Sequence, residues 1–336
     1  MRPLKVITAA GLLVASISLV SENVQAKDFY KMSTLSPGSS PFLVMSAFAA
    51  AGQKNNKNIE IQINATGAAT VHALEAARGK IHFFMSSPAL YRLLKKGKAM
   101  YKKVKNAGVL SKNLASIMAF SLGAYHATVY EDSGMKRLDD IKGKKVFLGP
   151  PGGAARRLMT NMVKSATGLV PGKDFTSVKL GWSAAAAAFQ DRQIDVWFSP
   201  SIPPSPSISQ VALTNKIRFL GLDAEDVTPA KLKEFLGVGG HIYRIPPDVY
   251  GKNQMNSEPT ATRESIGSIA TRKNVSADLI YQLTKSFWEA REETAKNAPW
   301  LRKVMLKNVF QDLEMPLHPG AKRYYKEIGL KVPSHL

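Results

Sequence analysis

The chain has 336 residues, 45% of them hydrophobic, with 24 glycines and 19 prolines. That is long enough for two domains or one large α/β unit, and the ordinary glycine and proline content excludes fibrous and low-complexity classes. With no cysteine and a formal charge of +21, disulfides, thiolate metal sites, cysteine nucleophiles and a lipid anchor on an N-terminal cysteine are excluded.

Residues 1–26 read as a secretory signal peptide. Arg2 and Lys5 form the positive region, Ala9 to Val20 the apolar run, and Val24-Gln25-Ala26 the small-residue cleavage site. The apolar run is short of the roughly 20 residues that span a bilayer, and no later segment reaches that length. The mature chain is therefore expected to be soluble, not membrane-anchored, and periplasmic. A secreted chain rarely meets nucleic acid, so no nucleic-acid partner is expected despite the charge. The lysine runs at Lys54 to Lys57 and Lys95 to Lys105 read as solvated faces, or as a field that steers an anionic ligand or an acidic partner.

Beyond the leader, strands and helices alternate. Strands are predicted at Lys27–Ser33, Ile59–Asn64 and Ile81–Ser86, each followed by a helix, at Pro41–Gln53, Ala69–Arg78 and through Tyr91–Leu94. The pattern resumes with strands at Ala124–Glu131, Lys144–Leu148, Ser177–Leu180, Ile194–Ser199 and Ile217–Gly221. Helices fall at Ala154–Ala166 and Ser183–Asp191, and Pro203, Pro204 and Pro206 enforce a loop before a short helix. A strand at Ser265–Arg272, a long helix at Ala277–Ala298 capped by Ser276 and a helical tail close the chain. This succession predicts an α/β fold with mainly parallel sheets. One lobe is expected at 27–123 plus 263–336 and the other at 124–262. Each would have its own sheet, and a ligand cleft would lie between them at strand carboxyl ends and helix N-termini.

Three loops between strand and helix carry small hydroxylated residues: Ser33 to Ser40, Asn64 to Thr70, and Ser86-Ser87-Pro88. Following consecutive parallel strands, they line one rim of one sheet, where backbone N–H groups and hydroxyls hold a small polar ligand. In the second lobe Gly149-Pro150-Pro151-Gly152-Gly153-Ala154-Ala155-Arg156-Arg157 lacks both nucleotide-loop signatures. A glycine-led helix start is still an anion site, to which Arg156 adds a bidentate contact and which Trp182, after Gly181, would roof. The six histidines are scattered, no H-E-x-x-H or G-x-S-x-G occurs, and no carboxylate pair stands out by spacing. No metal, cofactor or catalytic set is expected; a periplasmic enzyme on this scaffold and a basic surface-interaction protein remain as alternatives.

The motifs also line up with a known family. Leu138 to Val146 followed by Gly149-Pro150-Pro151-Gly152, then Gln193-Ile194-Asp195-Val196-Trp197-Phe198 with Pro203 downstream, then Pro316 to Tyr325 resemble the TAXI-type solute receptors of tripartite ATP-independent periplasmic (TRAP) transporters. The resemblance spans nearly the whole mature chain. It implies a two-lobed, type II-like periplasmic binding-protein fold and delivery of a small-molecule solute to a TRAP membrane permease. The implied solutes are organic anions, glutamate-like or dicarboxylate. The implied ligand positions are Thr34, Ser36, Gly38, Ser39, Thr66, Gly67, Ser86, Gly152, Gly153 and Ala154, beside Arg156 and Trp182. The chain departs from the family pattern at Pro41-Phe42, where the family usually has aromatics, often Tyr, and at Ala68-Ala69 and Gly153-Ala154-Ala155, where it carries hydroxylated residues.

Overall fold

Three parallel strands, β1 (Asp28–Ser33), β2 (Ile59–Asn64) and β3 (Phe83–Ser86), lie in the order β2–β1–β3. These come from a computed structural model that describes residues 27–222, 228–237 and 239–336; the leader read at 1–26 lies outside the described residues. Parallel pairing brings three carboxyl ends to one edge, and each feeds a helix: α1 (Ser40–Asn55), α2 (Ala69–Ala77) and α3 (Pro88–Lys95). Two of these starts are written locally. Ser39 accepts a hydrogen bond from Phe42 N–H, and Ser87 accepts one from Leu90 N–H with Pro88 behind it.

The short helix α4 (Ala107–Ser111) leads into β4 (Leu114–Tyr130), and the second lobe repeats the parallel pattern. Its strands β5 (Lys145–Phe147), β6 (Thr176–Ser177) and β7 (Val196–Ser201) pair in the order β7–β5–β6. Helices α5 (Ala154–Thr167), α6 (Trp182–Gln190) and α7 (Pro206–Thr214) pack on them, followed by β8 (Ile217–Leu220), α8 (Pro229–Leu236) and β9 (Gly240–Ile245). The chain returns through β10 (Thr260–Arg272), then α9 (Ala277–Asn297) and α10 (Pro319–Glu327).

β4 and β10 join the halves. Leu114 to Ala124 pair antiparallel with β10; from Ala124 to Tyr130 the same strand pairs with β7 and β8. β10 likewise pairs with β9 over Thr260–Ser265 before meeting β4 and β3. The two sheets, parallel at their outer ends, are thus hydrogen-bonded into one ten-stranded whole through an antiparallel centre. The first half of β4, with α4, α8 and β9, goes beyond the elements read from the sequence. Leu114 to Leu122 is an unbroken run of apolar and small residues buried on both faces, so it lacks the alternation of a half-buried strand.

The cores follow the strand pleat. In β3, Phe83 and Met85 join one apolar cluster with α1 and α9, while Phe84 between them joins another with α2 and α3. In β7, Val196 and Phe198 pack with α5, and Trp197 packs with α6 and α7. Each half-sheet is therefore covered on both faces, as parallel strands require.

Candidate functional site

Where the two central strands change partners, their ladder slips by one residue: Ser265 pairs with Gly123 but Ile266 with Ser121, so Leu122 bulges out. Gly123 has φ +82°, and a Cβ there would lie 1.9 Å from the Ser201 carbonyl carbon. Only glycine permits this crossing. The bulge re-aims its neighbours, so that Leu122, Tyr125, Arg263, Ser265 and Ile266 line a cavity of about 60 Å³ between the lobes.

Four helices begin at this cavity. Ala68 and Ala69 open α2, Ser87 to Ala89 open α3, Gly153 to Ala155 open α5, and Trp182 opens α6; all line the wall. None of the four carries an acidic residue in its first turn, and the cap residues of α2, α5 and α6 make no side-chain hydrogen bond. The positive ends of four backbone dipoles therefore converge on one space.

Among the described residues the charged side chain in the wall is Arg263, 1% exposed. Its Nε donates to the Leu236 carbonyl at 2.5 Å, its Nη1 donates to Ser265 Oγ, and its guanidinium lies 5.2 Å from the Tyr125 ring centre. Ser265 Oγ in turn donates to the Tyr125 hydroxyl at 3.0 Å. Burial pulls the guanidinium below its ordinary pKa, yet an arginine stays charged. Sequence reasoning did not single out Arg263, which lies beside Glu264 inside a long, mostly buried strand and belongs to no motif.

The predicted residues divide around this cavity. Gly153, Ala154 and Trp182 line it. Ser36, Gly38 and Ser39 line a second interlobe space of about 300 Å³, with Trp182 and Leu35 common to both. Gly38 passes so close to the other lobe that a Cβ would sit 2.5 Å from Ser207 Oγ. Thr34 and Ser86 are buried at the ends of β1 and β3, with hydroxyls that have no partner among the described residues. Thr66 donates to Asn64 Oδ1 at 2.8 Å, and Gly67 rests on the His72 ring, so neither lines the cavity. The Gly152 carbonyl meets Thr70 Oγ1 at 3.5 Å across the lobes. Arg156 is engaged within its own lobe, donating to the carbonyls of Gly149 and Val178 at 3.2 and 3.1 Å and to Ser177 Oγ at 2.6 Å. Gly38, Gly67 and Gly152 thus do not surround one space. Among the described residues no group of three or more His, Asp or Glu is placed to hold a metal, and no helix is long and apolar enough to cross a membrane.

Solved structures share this architecture at low identity. A periplasmic transporter superposes with a TM-score of 0.53 and 17% identity, over 89% of this chain and 92% of its own. The alkanesulfonate-binding protein SsuA from Xanthomonas axonopodis pv. citri, solved with MOPS bound, gives 0.50 and 14% over 90% and 84%. The fold is the two-lobed fold of periplasmic solute-binding proteins. A model of the NMT1-like family matches residues 32–329, and the chain belongs to that family.

Proposed function

We propose that this protein is a periplasmic solute-binding receptor whose lobes, 27–123 plus 263–336 and 124–262, close by a hinge motion on a small organic anion. In this reading its role is capture and delivery, and the recipient is a membrane permease, of the TRAP type that the sequence motifs resemble. One observation carries the reading: a buried arginine and four helix N-termini face one interlobe cavity. Each half of that arrangement favours negative charge, the dipoles by fractions of a charge and Arg263 by a whole one. The β4–β10 crossing places both halves at the junction of the lobes, where closure removes water and strengthens every charge interaction. The sulfonate-binding activity of SsuA, a protein of the same fold, is in keeping with this chemistry.

The test is thermal melting of the purified chain against a panel of carboxylates and sulfonates. A ligand at about 100 times its Kd is expected to raise Tm by roughly 5 °C. The Arg263→Gln variant, checked for its own cooperative melting, should lose that rise. A panel that leaves wild-type melting unmoved would overturn the assignment.

A further inference from the structure

One edge of the first lobe gathers positive charge that its own neighbourhood does not neutralise. Between Glu75 and Glu131 there is no Asp or Glu, and residues 76–113 hold ten Lys or Arg, eight of them Lys. Among the described residues Arg92 alone of these ten makes an ion pair, with Glu314.

The fold brings further cations to this edge from far along the chain. Arg272 and Lys273, at the carboxyl end of β10, meet Arg78 after α2 and Lys112 after α4 around a groove of about 610 Å³. Among the described residues its lining holds no Asp or Glu. Lys95 belongs to the same edge. A Cβ on Gly108 would lie 2.9 Å from the Lys95 carbonyl oxygen, and four residues of chain, about 6 Å of helical rise, separate Gly108 from Lys112.

The end of α2 does not account for these cations. The carbonyls of Leu74, Glu75 and Ala76 accept the N–H groups of Arg78, Lys80 and Gly79. The Ala77 carbonyl accepts from Asn113 Nδ2 at 3.0 Å, and the Gly79 carbonyl accepts from Arg272 Nη1 at 3.2 Å. With those acceptors taken, the half charge of one helix end is set against four whole positive charges.

The residue types point to the kind of partner. Protein interfaces are enriched in Arg and depleted in Lys, whose hydrated point charge suits diffuse attraction better than a fixed ion pair. Val109, 61% exposed, stands on α4 between Lys105 and Lys112. Exposed lysines around an apolar side chain match a bilayer surface that carries negative headgroups.

We propose that this edge of the first lobe docks on an anionic phospholipid surface and holds the protein beside the membrane. Arg272 lies beyond the amino end of β3, whereas Ser87 and Pro88, past its carboxyl end, line the interlobe cavity. Docking at the groove therefore leaves that cavity uncovered.

Flotation of the full mature chain with lipid vesicles tests this. Phosphatidylcholine vesicles with about one-third phosphatidylglycerol should bind at least about tenfold more protein than phosphatidylcholine alone at about 50 mM salt, and should lose that excess at about 500 mM. Replacing Arg78, Lys103, Lys105 and Lys112 together by Gln should lower binding at least about tenfold. Replacing Lys142, Lys164, Lys173 and Lys179 of the second lobe by Gln removes the same charge and should change binding by less than about threefold. All eight side chains are exposed, and both variants are checked for wild-type melting. Equal losses in the two variants would assign the binding to overall charge and overturn the docking edge. No preference for phosphatidylglycerol overturns the membrane surface as partner. Binding of an oligoglutamate peptide that only the first variant loses, with neither vesicle bound, overturns it in favour of an acidic protein.

Discussion

His126 shows what a single buried side chain asks of this fold. It is fully buried in β4, with Nδ1 2.9 Å from the Ala124 carbonyl and Nε2 2.8 Å from the Tyr250 hydroxyl. A carbonyl only accepts, so Nδ1 carries the proton and Nε2 accepts from Tyr250, whose oxygen accepts the Ser205 N–H at 3.0 Å. The neutral ring satisfies this network, and burial pushes its pKa down to about 4. The unfolded chain titrates near the ordinary value of about 6.5. Between those two values the unfolded state binds the proton and the folded state does not. Stability is therefore full above the upper value and is lost as pH falls toward the lower, by up to about 3 kcal/mol. Urea midpoints at pH 7 and pH 4.5 should show this loss, and His126→Gln should flatten it. Some slope would persist from His72, His82 and His318, which burial also holds below their usual range. An unchanged slope in His126→Gln would remove this residue from the account.

At the scale of elements, the fold turns on two long strands that each serve both lobes. A strand of ordinary register could not do so here, because its side chains would keep to fixed faces along its whole length. The slip at Leu122 and the left-handed Gly123 change that setting within one residue. Gly123→Ala is expected to cost about 2–4 kcal/mol, since it adds both an unfavourable φ and a clash with the Ser201–Ile202 backbone. Gly143→Ala is the control: its φ is +78° but nothing lies within 4 Å of the added methyl, so about 1 kcal/mol is expected. Denaturant unfolding of the pair separates the steric cost from the conformational one; equal costs would show that the close approach at Gly123 carries no weight.

For the whole molecule, the formal charge of +21 acts at a distance that no single contact covers. Contacts that cross between the lobes include Thr70 Oγ1 donating to the Gly152 carbonyl at 3.5 Å, Ile202 N–H donating to Ser40 Oγ at 2.7 Å, Arg263 Nε donating to the Leu236 carbonyl, Ser265 Oγ donating to the Tyr125 hydroxyl, and His241 Nε2 lying 2.6 Å from Asp312 Oδ2. The net positive charge sets up a field that draws anions toward the space between the lobes. Stopped-flow measurement should find the association rate of a bound anion falling about threefold or more between roughly 20 and 300 mM salt. The dissociation rate, set inside the closed lobes, should change little. A salt-independent association rate would confine the charge to solubility.

The sequence alone determined what is decided within a few residues. The alternation of strand, small-residue loop and helix is local chemistry, as is the cap at Ser276, whose side chain accepts from Leu279 N–H. It also supplied the rim of three loops, since consecutive parallel strands must place their ends together. Which arginine faces the cavity was beyond it. Arg156 sits at a glycine-led helix start and is taken up by Gly149, Val178 and Ser177. Arg263 lies mid-strand and reaches the interlobe cavity with Tyr125, Ala154 and Ser87, residues far away in the chain. That meeting depends on the register of β4 against β10 and on the partner exchange at Gly123, which leave no periodic mark on the residues they bring together.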